Sequence, residues 1–171
     1  MPYYTGSMTA DEARTHLRYH GWASQKLLDA ALGLDQEELY REMNVSHKGL
    51  IRTLEHVLFA DRIWFKRVVD PSLEVHPTSD RPHESLPLEW PQMQKRWEDW
   101  ADSLSDADLQ RSVSYKTLKG DPSESPLWQL MLHLVNHGTY HRGQAVAILK
   151  QLGAPVPPTD MIVFYRERKR T

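Results

Sequence analysis

The chain has 171 residues, 40% hydrophobic and 26% charged, a normal globular balance and enough length for one domain, 1–171, with a proper core. Its net charge of -2 gives no reason to expect a nucleic-acid partner, which calls for a basic surplus. The absence of cysteine excludes disulfides, thiolate zinc sites and a protein thiol nucleophile, so any metal must take imidazole, carboxylate or carbonyl ligands.

Disulfide-free composition fits the cytosol, so a cytoplasmic protein is expected. The start, Met1 to Ser7, has no basic residues followed by an apolar run, so no signal peptide is expected. No apolar run approaches the roughly 18 residues that span a membrane, and no membrane partner is expected. Near the C-terminus Arg166, Arg168, Lys169 and Arg170 read as solvated charge rather than as a phosphate site.

The first predicted helix runs from about Thr9 to Leu32. Thr9 is a good N-cap with Glu12 placed to complete a capping box, and Gly33 is a plausible stop. Ala13, Leu17, His20, Ser24, Leu27, Leu28 and Ala31 share one side. The second helix runs from about His47 to Val69, with Ser46 as N-cap and Pro71 beyond its end. Its polar stripe is narrow (Lys48, Glu55, Arg62 and Lys66), so most of its circumference is expected to be buried.

From Pro71 to Pro91 the prolines argue for an extended crossover loop. A third helix is predicted from about Leu88 to Leu104, with Trp90, Met93, Trp97, Trp100 and Leu104 on one aromatic face. Core packing is the expected role of Trp97 and Trp100. The stretch from Ser112 to Pro122 reads as a short β excursion turning at Gly120-Asp121. The fourth helix then starts near Ser125-Pro126, as an N-cap followed by proline at the first helical position, and ends at Leu152 before Gly153. Met161 to Tyr165 forms a short apolar coda. The expected fold class is all-α: a four-helix bundle with a long crossover loop and a short β excursion before the last helix.

The fourth helix carries His133-Leu-Val-Asn-His137-Gly-Thr-Tyr-His141-Arg-Gly-Gln144. Residues four apart stand one above the other on a helix. The apolar residues of this helix define an arc of roughly 100°, with His141 inside it, His137 about 20° outside and His133 roughly 40° further out. His137 and His141 therefore aim inward. Two imidazoles so placed can share a metal ion if a third ligand comes from another helix. His56 on the broad apolar arc of the second helix is ranked first for that role, ahead of the pair His16 and His20 on the first. His47, His76 and His83, at a cap or in a proline-rich loop, read as ordinary polar residues. Gly138 faces the core, where a missing side chain permits close helix approach. Gln144 lies near His137 by angle and is placed to orient a ligand or substrate. Arg142 points elsewhere and reads as one half of a structural ion pair.

These residues resemble the DinB/YfiT-like metalloenzyme superfamily. The string from His133 to Gln144 is similar to its fourth-helix signature, and Thr53-Leu-Glu-His56 followed by Trp64 to its second-helix marker. Tyr19-His-Gly-Trp22-Ala23 with Leu27-Leu28 resembles its first helix, and Thr159-Asp160 its C-terminal segment. The resemblance implies a four-helix bundle binding one divalent metal ion, zinc or nickel, through His56, His137 and His141. His133 matches a family histidine that is not normally a ligand. At His20 many relatives carry a different polar residue, which leaves an extra contact there open. The resemblance also implies a homodimer.

Three imidazoles leave a coordination position open, as a catalytic site requires. A water there would have its pKa lowered from about 15.7 to near 7, and a thiol would ionise. The resemblance implies a thiol S-transferase, with a mycothiol-dependent isomerase among related proteins and many others of no established reaction. The first expectation is therefore a metal-dependent enzyme that activates a low-molecular-weight thiol, taking a small-molecule substrate. The alternatives are a metal-dependent hydrolase using a bound hydroxide and a non-catalytic metal-binding stress-response protein. For the hydrolase no clear general base is visible: Glu55 is read on the polar stripe, Asp61 as a buried helix-pairing group.

Overall fold

The computed structural model describes residues 8–76 and 79–169; the segment from Met1 to Ser7, and Arg170 of the basic tail, lie outside them. Helix α1 (Ala10–Leu32) opens on the expected capping box. Thr9 Oγ1 accepts from the Glu12 amide at 3.2 Å, and Glu12 Oε2 accepts from the Thr9 amide at 2.8 Å. A single turn, α2 (Gln36–Leu39), follows behind its N-cap Asp35.

Helix α3 (Leu50–Val68) starts later than expected, with Gly49 rather than Ser46 at its N-cap. The preceding residues are used in a turn. The Lys48 amide donates to the Val45 carbonyl at 3.0 Å, and the Lys48 carbonyl accepts from the Met43 amide at 2.8 Å. Lys48 sits in the left-handed region (φ 61). A Cβ at Gly49 would come within 2.6 Å of the Arg41 carbonyl oxygen, so only glycine lets the chain pass here.

The long proline-rich loop is corrected. Helix α4 (Pro82–Asp102) begins within it, with Pro82 in the first turn and Pro87 and Pro91 inside the helix. An interior proline costs about 3 kcal/mol in an isolated helix. Here Pro82, Leu86, Trp90, Met93, Trp97 and Ala101 make an unbroken buried stripe, while Pro91 is exposed. Each buried tryptophan contributes about 4 kcal/mol or more, so packing outweighs propensity.

After the short α5 (Asp106–Gln110), strands β1 (Ser112–Lys116) and β2 (Pro122–Pro126) pair antiparallel, with Ser112 opposite Pro126 and Lys116 opposite Pro122. Gly120 takes positive φ (89°) in the turn between them, as the β excursion predicts. Helix α6 (Leu127–Gln151) has no Ser125 cap; Pro126 ends the strand and caps the helix at once, because Ser125 is paired with Val113 in the ladder. The apolar coda opens a helix that runs on past Tyr165, α7 (Met161–Arg168), whose Phe164 is buried against Tyr19 and Trp22.

The four long helices close a ring in which α6 packs on α1 and α3, and α4 packs on the same two from the other side. The all-α bundle is therefore as expected, but its crossovers are not. The links from α1 to α3 and from α4 to α6 cross the diagonals, whereas the proline-rich link from α3 to α4 joins neighbours. No described helix is long and apolar enough to cross a membrane.

A buried polar network joins all four long helices. Asp61 of α3, 1% exposed, accepts from His20 Nε2 of α1 at 3.0 Å and from Trp90 Nε1 of α4 at 2.9 Å. His20 Nδ1 accepts from Arg142 Nη1 of α6 at 2.9 Å. Arginine only donates, so Nδ1 carries the lone pair and Nε2–H points at Asp61. Arg142, 2% exposed, also donates to Ser24 Oγ at 3.2 Å and Thr139 Oγ1 at 2.8 Å. The expected ion pair is thus corrected: among the described residues no carboxylate touches Arg142, and Asp61 balances it through the His20 ring. Gly138 makes this possible, since a Cβ there would lie 2.3 Å from His20 Cε1 and 2.8 Å from Arg142 Nη1.

Replacing Asp61 by alanine leaves the Arg142 charge buried without balance and is expected to cost about 3–5 kcal/mol in urea unfolding. Gly138→Ala is expected to cost about 1–3 kcal/mol through overpacking. A loss under about 1 kcal/mol in Asp61→Ala would remove the network from its central place.

Candidate metal centre

Burial along α6 follows the helical angles: His141 is 5% exposed, His137 half-buried and His133 exposed. His56 of α3 faces them, with ring centroids 4.5 Å from His141 and 5.2 Å from His137. The His137 and His141 Nε2 atoms stand 3.2 Å apart.

His47, read from sequence as an ordinary polar residue, is corrected. The turn before α3 lays its ring on His56 at 3.9 Å between centroids, in a stacked arrangement, and 5.1 Å from His141. Donor atoms of His47, His56 and His141 all lie within 4.8 Å of one another, so these three could hold a metal ion. His137 joins them through His141. Periodicity could not find His47, because it lies outside the helix; the signal that places it is the Lys48-Gly49 turn, which is visible only in three dimensions.

The remaining histidines separate from this group. His20 is used by Asp61 and Arg142. His16 Nδ1 lies 2.8 Å from the Glu12 carbonyl in an exposed contact. His83 bonds to the Tyr40 hydroxyl, and His76 lies 3.9 Å from Glu74 on the surface. Gln144 contacts His141 rather than His137: its Oε1 accepts from His141 Nδ1 at 2.9 Å. That bond leaves the lone pair of His141 on Nε2, facing the group. Glu55 is corrected from the polar stripe to a buried position, accepting from Arg52 at 2.7 Å and from the Ser79 amide at 2.6 Å.

The electrostatics suit a cation. Burial, then the neighbouring histidines, lower the pKa of His56 to about 4; burial, then His141 and His133, do the same for His137. His47 is lowered by burial and by His141. Neutral rings keep their lone pairs free for a metal. His137 turns its Nε2 toward His141, and its Nδ1 is buried with no hydrogen-bond partner. Two imidazole nitrogens sharing one tetrahedral zinc at 2.0–2.1 Å are about 3.3 Å apart, close to the His137–His141 spacing. The donor set therefore fits a divalent ion of borderline softness.

The group opens on a cleft of about 580 Å³ between α3, α6 and the hairpin, lined by His56, Ile63, Trp64, Tyr115, His133 and His137 among others. This is the size of a small-molecule site. A second hollow of about 440 Å³ lies on the His47 side of His56. Trp97 is buried in the core and Trp100 packs against it, while Trp64 turns to the cleft.

Because His56 and His137 are depressed when folded and take up protons near pH 6.5 when unfolded, the unfolded chain binds more protons between about pH 6.5 and 4. Stability of the metal-free protein should therefore fall as pH drops through that window, by an amount reduced because both rings are half-exposed. Thermal melts at pH 7 and 4.5 check this; the double variant His56→Gln with His137→Gln should show a shallower fall, and an equally steep one would contradict it.

The sequence profile of the DinB family matches residues 8–170. Protein DinB of Bacillus subtilis (strain 168) is 24% identical over 155 residues, covering 83% of this chain and 87% of that protein. Among solved structures, a DinB-like protein from Bacillus cereus ATCC 10987 superposes with a TM-score of 0.64 at 20% identity, over 90% of this chain and 99% of that one, which supports the fold. With the family profile spanning nearly its whole length, the chain belongs to the DinB family.

Proposed function

We propose that this protein is a metal-dependent enzyme in which His56, His137 and His141 hold one divalent ion, zinc or nickel, and a low-molecular-weight thiol is activated for transfer to an electrophile. The observation that carries the reading is a cluster of imidazoles bordering a cleft of small-molecule size. A divalent ion held there supplies Lewis acidity, under which the thiol of an incoming small molecule ionises near neutral pH.

The chain's own residues prepare the site in three ways. Gln144 fixes the His141 tautomer and holds its Nε2 inward. The rigid helices α3 and α6 carry three of the four imidazoles, so little ordering is needed on binding. Ile63, Trp64 and Leu130 present an apolar wall that excludes water from the reacting sulfur. His47 is the fourth nitrogen within reach, delivered from a turn rather than a helix.

Hydrolysis is less well supported. It asks for a general base beside the metal, and both nearby carboxylates are engaged: Glu55 with Arg52 and the Ser79 amide, Asp61 with His20 and Trp90. A purely metal-storing role is disfavoured by the open cleft, since a structural site closes its coordination shell.

Metal analysis tests the ligands. His56→Ala, His137→Ala and His141→Ala should each lower zinc or nickel affinity at least about tenfold, as should Gln144→Ala through loss of ligand orientation, whereas His133→Ala should change it little. Stoichiometric metal retained at unchanged affinity in His141→Ala would sink the assignment. Metal-loaded protein should conjugate a chromogenic electrophile to a low-molecular-weight thiol, with the activity lost in His137→Ala. Absence of conjugation across a diverse thiol panel would reject the transferase reading and leave the metal site standing.

A further inference from the structure

Arg67 lies in the cleft wall, on the same face of α3 as His56. At 100° per residue, positions 56, 60, 63 and 67 form one stripe, and all four line the cleft. The guanidinium is stacked 4.7 Å from the Trp64 ring and 5.7 Å from the Tyr115 ring of β1. Among the described residues it has no hydrogen-bond acceptor and no carboxylate partner. The neighbouring basic residues on α3 differ: Arg62 pairs with Glu89, and Lys66 donates to the Leu73 carbonyl at 2.7 Å.

Partial burial works against the Arg67 charge. The aromatic contacts offset part of that loss but supply no carboxylate or carbonyl acceptor. With no acceptor among the described residues, its N–H donors are available in the fork geometry that suits a carboxylate, sulfonate or phosphate. Part of the lining is apolar: Phe59, Ala60, Ile63 and Leu130. Along α3 the cleft thus runs from His56 past Ala60 and Ile63 to the Arg67 cation, with His133 of α6 5.1 Å from the Trp64 ring.

We propose that the cleft binds an amphipathic anion, with its acidic group on Arg67, its apolar body along Ile63 and Trp64, and its reacting end at the histidines. This deepens the thiol-transfer reading, on which the reacting end rests, by naming the substrate class. From His56 to Arg67 the helix rises about 16 Å, and an arginine side chain leans back toward the helix N-terminus, so acid and reacting atom stand on the order of 10 Å apart. A thiol or electrophile carrying a terminal acid at that separation fits; a small neutral thiol leaves Arg67 without a partner.

The test uses isothermal titration with phenylethanesulfonate, a weak metal ligand, and the neutral phenylethyl methyl sulfone. Both are titrated into the full chain in zinc-loaded and chelator-stripped forms. The sulfonate should bind at least about tenfold more tightly than the sulfone in both forms, the range of a hydrogen bond to a charged group. Arg67→Met should abolish that preference while leaving sulfone affinity unchanged, which also shows that the cleft is still formed. Arg67→Lys should keep a reduced preference. Equal affinity of the two probes for the wild type, or an undiminished preference in Arg67→Met, overturns the proposal. Zinc binding in the same stripped protein is scored separately, so a failure of the metal reading is told apart from a failure of the anion site.

Discussion

The rest of the structure depends on one carboxylate. Asp61 sits in the bundle axis and is reached by groups from α1, α4 and, through His20, α6. In a bundle whose helices are otherwise held by apolar packing, rotation or sliding of a helix by part of a turn is a low-energy error. A fully bonded buried charge makes such errors expensive, since each displaced partner leaves an unsatisfied polar group in a low-dielectric interior. The Trp97 indole adds to this by donating to the Asp61 main-chain carbonyl at 3.3 Å.

That constraint carries over to the metal centre because the two are carried by the same pair of helices, α3 and α6. Asp61 follows His56 on α3, and Arg142 follows His141 on α6. Fixing the depth and rotation of α3 against α6 at the network also fixes the approach of His56 to His137 and His141. Gly138 is the point of contact between the two systems, lying next to one candidate ligand and under the His20 ring. The imidazoles can thus be held close to one another.

Much of this was legible in the sequence, and the exceptions have physical causes. The inward aim of His137 and His141 followed from angles on α6, and Gly33, Gly120 and Thr9 marked boundaries through local backbone chemistry. The α4 start was missed because prolines are read as loop signals, whereas Pro82 sits in a first turn and the buried tryptophans outweigh Pro87 and Pro91. His47 was missed because no periodicity governs a turn, and Glu55 because its partners, Arg52 and the Ser79 amide, come together only in three dimensions. The diagonal crossovers were equally hidden: loop length does not say which neighbour a helix returns to.

The hairpin has a consequence of another kind. Its two strands pair mainly with each other, and its contribution to the bundle is small beside that of the long helices. Yet Tyr115, Thr117 and Leu118 form one side of the cleft, and Leu118 is 87% exposed at its mouth. The wall that sizes the cleft is therefore built on a different foundation from the floor that carries the imidazoles. Lengthening or recomposing the turn around Gly120 can alter what enters without disturbing Asp61 or the α3–α6 seam. In this architecture, the mouth of the cleft can be recast through the hairpin, while preservation of the centre rests on the bundle.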